Sequence, residues 1–401
     1  MSTAETKNVI FRAPVLSCSG YGVHARQIAR GLLKRQEEKG DISVTFDVVP
    51  WGITPWLVDH KAQNGLVGKI IQNSEKKKDA VYDLSLQLQL PNEWEPFLAK
   101  TNVGITAAVE TDRCNPAWID SINRMDRVIV PSEHIKSTLK NSGDVKTTID
   151  VIPESWFEAC RTSAERGNPL EDSLKLDTPF NFLLVSQFTG NNPENDRKNI
   201  AYTLKWMLEE FKDDTDVGLI IKTNFGRHTT ADKQNCLKVL SEILLGCRKG
   251  VGPRVYLLHG AMTDEELVGV YTHSKIKALV NLTRGEGFGL PILEAAVCGL
   301  PVIATDWSAH TEFLRQGKYV KIDYNLVQIH ESRVDNAIFM KEAKWAFPTE
   351  ADVKKKLRRF HESPSVPTGW AQDLQASLLV THSPEAIEKQ YDDVFNELLS
   401  Q

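Results

Sequence analysis

The sequence predicts an α/β protein built from two tandem doubly wound parallel sheets, and three features of its 401 residues carry that prediction. Short apolar runs alternate with amphipathic stretches from the start to about residue 325, the pattern left when crossover helices join parallel strands. The alternation lapses once, over 154–178 (ESWFEACRTSAERGNPLEDSLKLDT), where charged and short polar residues read as an interdomain linker with peripheral turns. The length itself suits two domains at roughly 150 residues each.

In the first half, strands are expected at 8–13 (NVIFRA), 43–50, 80–86, 102–109, 126–131 and 147–153. Helices fill most of the gaps. Over 25–33, for example, Ala25, Ile28, Ala29, Leu32 and Leu33 recur at spacings of three and four and form one apolar stripe, which leaves Arg26, Arg30 and Lys34 for the other side. The second half restarts with strands at 180–186, 217–223, 254–259, 277–282, 300–305 and 318–323. After about 330 the pattern reads as wholly helical. It includes a basic run from Lys354 to Arg359, and a final amphipathic stretch follows Pro384. The expected division is a first domain over 1–160, a linker over 161–178, a second domain over 179–383 and a helix over 384–401 that can return to the first domain. Ligands of such sheets bind at the carboxyl ends of the strands, so a cleft between the two domains is expected to hold the site.

Composition narrows the class. Hydrophobic residues at 41% and charged residues at 25% exclude a disordered or collagenous chain. A net charge of −5 excludes a global positive field for phosphate polymers or anionic membranes. The cysteines Cys18, Cys114, Cys160, Cys236, Cys247 and Cys298 lie far apart without a C-x-x-C pair, which argues against a zinc ribbon or a disulfide framework and suits a reducing compartment. The opening MSTAETKNVIF has no long apolar run, and nowhere do about 18 apolar residues follow one another. A cytoplasmic protein with no membrane span is expected.

Two motifs carry chemistry. SGYGVHA (19–25) lies between the first strand and first helix, where backbone N–H groups and the helix dipole can hold an anion and Gly20 and Gly22 permit close approach. With Ala25 and Asp47 it also satisfies a loose dinucleotide fingerprint. The intervening PVLSCS makes the loop too long for that reading, and a plain packing turn is the alternative. The second motif, RGEGFGLPILEAAVCGLPVIATD (284–306), sets Glu286 and Glu294 eight positions apart around the Gly287-Phe288-Gly289 turn, with Leu290 and Pro291 opening a helix. Both carboxylates can then face one small site and accept hydrogen bonds from sugar or ribose hydroxyls, while the helix N-terminus suits a diphosphate. Asp214-Thr215-Asp216 has metal-site spacing but sits in a polar loop and reads as a turn.

With VYLLHGAMTDEEL before it and SAHTEF after it, this second motif resembles the donor-binding region of family 4 glycosyltransferases, retaining enzymes of the GT-B fold with two Rossmann-like domains. The resemblance implies transfer of a sugar from a UDP- or GDP-type nucleotide sugar to a hydroxyl, with no metal and no further cofactor. It implies that Glu286 sits by the transferred sugar and Glu294 holds the ribose. The family's basic pair on the diphosphate is matched by Lys198, with Gln187 standing where an arginine is usual. Arg197 is a candidate substitute for that arginine and Lys222 a third cation. Where many members carry a histidine, this chain has Glu110, either a sugar or acceptor contact or a structural acid. Tyr21, His24 and Asp112 are acceptor-side candidates. Retention would follow from same-face attack, the leaving phosphate taking the acceptor's proton. The stretch FRAPVLSCSGYGVHARQIARGLL is similar to phage-encoded glycosyltransferases, some of which modify viral DNA bases. Duplex DNA in a host cytoplasm is therefore one candidate acceptor, with the basic runs Lys76–Lys78 and Lys354–Arg359 as its contacts. A nucleotide-sugar epimerase or a non-catalytic nucleotide-sugar-binding protein are the alternatives on the same scaffold.

Overall fold

The computed structural model describes residues 6–75, 81–161 and 167–400. The expected strands form two six-stranded parallel sheets. The first contains β1 (Lys7–Ala13), β2 (Ile42–Val48), β3 (Leu84–Leu88), β4 (Thr101–Ile105), β5 (Arg127–Val130) and β6 (Ile149–Val151), in the order β2-β1-β3-β4-β5-β6. The second contains β7 (Phe180–Val185), β8 (Val217–Thr223), β9 (Arg254–His259), β10 (Ile276–Asn281), β11 (Val302–Thr305) and β12 (Val320–Ile322), in the order β12-β11-β10-β7-β8-β9. Each sheet reverses its strand order beside its first strand, at β1/β3 and β7/β10, the position where open α/β sheets place ligands. All residues of β3 and β8 are buried, as strands covered on both faces require.

Helices α1 (Gly20–Lys39), α2 (Leu66–Gln72), α3 (Ala117–Ile122) and α4 (Glu133–Lys140) accompany the first sheet. The second has α5 (Ile200–Glu210), α6 (Thr230–Cys247), α7 (Asp264–Tyr271), α8 (Leu290–Val297) and α9 (His310–Leu314), followed by α10 (Glu350–Glu362), α11 (Ser365–Thr381) and α12 (Pro384–Leu399). The stretch beyond 330 is not wholly helical. Lys344–Pro348 forms β14, paired antiparallel with β13 (Tyr324–Gln328). Its Trp345 is fully buried, so packing of one aromatic strand outweighs the surrounding helical pattern.

The chain forms two compact units. One comprises the chain through Val109, Arg113–Ser155 and everything from His382 on; the other comprises Glu110–Asp112 and Trp156–Thr381. In the first unit, Ile387, Tyr391, Phe395 and Leu398 of α12, spaced four, four and three apart, join the core made by β1–β4 and α1. Lys34–Glu388, Arg35–Asp392 and Arg127–Glu397 ion pairs border that seam. Arg26, off the apolar stripe of α1, is also buried: its guanidinium donates to the carbonyls of Val15 and Ser17 at 2.9 and 2.8 Å and so holds the loop before α1.

The described part of the polar stretch beyond 155 belongs to the second unit. Trp156 Nε1 donates to Leu378 O at 3.2 Å and Asn168 Nδ2 to Gly269 O at 2.8 Å, so its polar groups satisfy backbone acceptors.

Candidate active site

The loop from β10 to α8 is shaped by what its neighbours leave room for. A Cβ at Gly285 would meet Glu110 O at 2.2 Å, and Gly289 has φ +106°, so both positions need glycine. Between them, Glu286 is buried and its carboxylate is gripped from one side. Lys198 Nζ lies 2.6 and 2.7 Å from its two oxygens, and Arg197 Nη1 lies 3.3 Å from Oε2. Arg197 also donates to Gly285 O at 2.5 Å and pairs with Glu110 at 2.8 Å. Burial alone would raise the Glu286 carboxyl, but Lys198 and Arg197 outweigh it and bring its pKa to about 2. Glu286 is therefore a fixed anion at neutral pH.

The residues that present Arg197 and Lys198 were not singled out by the sequence. Arg284, almost fully buried, donates to Pro193 O at 2.8 Å and Glu194 O at 2.5 Å, and its guanidinium centre lies 5.1 and 5.0 Å from the Trp345 and Phe347 rings. It ties the loop before Asp196 to the β13–β14 hairpin. Asp196 completes the loop, accepting from Ile200 N–H at 2.9 Å and Thr189 Oγ1–H at 2.7 Å.

Behind Glu286 runs a chain of hydrogen bonds with one consistent polarity. His310 Nε2–H donates to Thr305 O at 2.7 Å, which leaves Nδ1 as acceptor for Ser308 Oγ–H at 3.3 Å. Ser308 Oγ in turn accepts the Glu286 N–H at 2.9 Å. Ser308 holds a left-handed φ of +80° to reach this position. Because these partners come from the loop after another strand, no local spacing announces them.

Glu294 lies on α8, buried, and accepts from Tyr271 Oη at 2.9 Å, separately from the Glu286 cluster. Burial pushes its pKa up to about 7. A carboxyl raised in the folded state favours folding while protonated, and this advantage is lost as pH rises from the ordinary value near 4.5 through about 7. Glu294→Gln is therefore expected to melt higher than the parent at pH 8, by a difference on the order of 3 kcal/mol that fades toward pH 5. Parallel melting curves at both pH values would disprove this.

The remaining candidates divide clearly. Phe288 and Leu290 are buried, the Phe288 ring packing 5.4 Å from Phe313, so their side chains serve the core and leave the loop its backbone. Lys222 is next to last in β8, its Nζ bonded to Asn224 Oδ1 at 2.8 Å and Gly260 O at 2.7 Å. Asp112 pairs with the backbone of Lys344 in both directions. In the first unit, Gly20 has open space around it, whereas a Cβ at Gly22 would strike Ser17 O at 2.0 Å, so that glycine already answers an internal packing need. Tyr21 stacks on Trp51 with centroids 3.9 Å apart and bonds the backbone of Ala107 at 3.0 Å. His24 is buried, 2.9 Å from Tyr391 Oη, and burial lowers its pKa to about 3; it belongs to the α1–α12 seam rather than to an open strand end. Asp214 caps its own turn through Asp216 N–H. In the basic run, Lys354, Lys356 and Arg358 pair with Glu209, Asp352 and Glu210, and Lys355 and Arg359 are exposed. Lys76–Lys78 lie outside the described residues. Among the described residues, no group of three or more His, Cys, Asp or Glu is placed to hold a metal ion, and no helix is long and apolar enough to cross a membrane.

Residues 186–331 match the family model of group 1 glycosyl transferases. That segment runs from the end of β7 to the hairpin and contains Arg197, Lys198, Lys222, Glu286 and Glu294. No curated protein matches the chain in sequence. Among solved structures, the chain is similar to sucrose-phosphate synthase from Thermosynechococcus elongatus, with a TM-score of 0.64, 13% identity and 98% and 99% of the two chains covered. It is also similar to HepE from Anabaena in complex with UDP and glucose, with a TM-score of 0.61, 15% identity and 98% and 100% covered. A third match is trehalose 6-phosphate synthase from Burkholderia multivorans, with a TM-score of 0.60, 8% identity and 99% of each chain covered. At these identities the likeness establishes the fold, which is of the GT-B type.

Proposed function

We propose that this protein is a glycosyltransferase that moves a sugar from a nucleoside-diphosphate sugar to a hydroxyl acceptor. One observation carries the reading. A buried carboxylate, Glu286, is held ionised by Lys198 and Arg197 at the strand-order switch point of the second sheet, inside the segment that matches the group 1 model. The structure of HepE with UDP and glucose supports a uridine-type donor on this fold.

Glu286 is the group that takes hydrogen bonds from the sugar hydroxyls, and Glu294 those from the ribose. The N-terminus of α8, with Arg197 and Lys198, stabilises charge on the departing diphosphate. Both cations already bind Glu286, which is thereby unsuited to attack the anomeric carbon. Transfer with retention then proceeds on one face: the C1–O bond to phosphate breaks with its electron pair going to that oxygen, the acceptor oxygen bonds to C1, and its proton passes to the departing phosphate. The acceptor is a glycan, a small molecule or a hydroxymethylated base of DNA.

The test is a thermal-shift screen with UDP, GDP, their sugars and NAD, followed by a transfer assay with the donor that binds. At 100 times its Kd, the true donor or its diphosphate stabilises the fold by about 2.7 kcal/mol. Stabilisation by NAD alone would reject the reading, and isomerisation of the sugar without an acceptor would identify an epimerase instead. Titration of duplex DNA at two salt concentrations checks that acceptor, because phosphate contacts impose a steep salt slope.

A further inference from the structure

The charges around Glu286 cancel: Arg197 and Lys198 stand against Glu110 and Glu286. A diphosphate arriving at this sheet edge meets two cations that are already matched. In the strand order β10-β7-β8, Lys222 is next to last in the strand two places from β10, roughly 10 Å across the sheet at the usual strand spacing. Its ammonium is buried, and the partners the structure gives it are neutral, Asn224 and the Gly260 carbonyl. Beside it, His259 ends β9 in register with Thr223. Before α6, His228 adopts φ +65° and sets its ring edge-on to that of His259, centroids 6.4 Å apart. Among the described residues, the Nε2 of His259 is buried without a hydrogen-bond partner. A buried ammonium whose partners among the described residues are neutral is costly, and one bound anion would relieve it.

We propose that Lys222, with His228 and His259, forms a further phosphate-binding end of the donor site and adds net positive charge to that of Arg197 and Lys198, which Glu110 and Glu286 balance. The inference rests on the donor-site reading above and extends it to three residues on β8, β9 and the turn before α6. Burial holds Lys222 at a pKa of about 8. Burial, then Lys222, keeps both histidines below their ordinary value. The other charged groups bearing on the histidines are Asp232, which is engaged in capping α6, and Lys233. Phosphate binding therefore holds a proton on Lys222, and affinity falls as pH rises above about 8.

Calorimetric titration of the full chain with UDP, pyrophosphate and inorganic phosphate tests this in the parent, Lys222→Met and Lys222→Arg. Lys222→Met should weaken UDP and pyrophosphate by roughly tenfold or more, the worth of one charge-assisted hydrogen bond. Lys222→Arg should restore much of it. Between pH 7 and 9 the parent should lose affinity while Lys222→Met stays flat. An unaltered melting midpoint shows that Lys222→Met is folded. UDP affinity unchanged in Lys222→Met overturns the proposal, even if inorganic phosphate still depends on Lys222, and so does a parent that binds none of the three. Pyrophosphate binding that needs Lys222, in a protein that turns over no nucleotide sugar, leaves this site standing and removes the transferase reading instead.

Discussion

Glu286→Gln lowers the rate of sugar transfer at least about a hundredfold while the protein stays folded, the expected loss when one preorganised charge leaves a water-poor site. Glutamine keeps the shape of the side chain and the backbone bond to Ser308 but can no longer meet Lys198 and Arg197 as an anion. Lys198→Ala should lose a similar factor, because its ammonium touches both oxygens of that carboxylate. The measurement is kcat at saturating donor, with the melting midpoint as the control for folding. Rates near the parent's in both variants would remove the Glu286 cluster from the chemistry.

Arg197→Ala destabilises the second unit by about 3–5 kcal/mol, the cost of breaking a buried ion pair and leaving a charge behind. The guanidinium is matched to Glu110 and Glu286 together, so its removal leaves two carboxylates to one lysine. It also abandons the Gly285 carbonyl, fixed at 2.5 Å in a loop where no side chain fits. Denaturant unfolding should show an earlier transition, and a shift equivalent to less than about 1 kcal/mol would mean that water replaces the guanidinium without cost.

How much of this was legible before the structure depended on whether a residue's role was local. Parallel strands covered on both sides write themselves as apolar runs, so β7 and β8 lie within a residue of their expected bounds. Glu286 and Glu294 stand out because a turn and a helix start lie between them in sequence. Arg284, Ser308 and His310 do not, since each works through partners on another element: Arg284 on a loop ninety residues earlier, and His310 through Ser308 to a backbone amide in a different loop. The β13–β14 hairpin was hidden for the same reason, its pairing being non-local and its strands short. Arg26 read only as lying off the apolar stripe because helical spacing reports which side of a helix a residue occupies, not what a neighbouring loop bends down to meet.

The place of α12 has a consequence for biosynthesis. Its apolar stripe completes a core whose other members all precede Ser155, so the ribosome must deliver the whole of Trp156–Thr381 before the missing piece emerges. At ordinary translation speeds that interval lasts roughly ten to fifty seconds. Throughout it the nascent N-terminal sheet and α1 leave the strip around His24 and Ile28 uncovered, while the later-made unit is free to fold first.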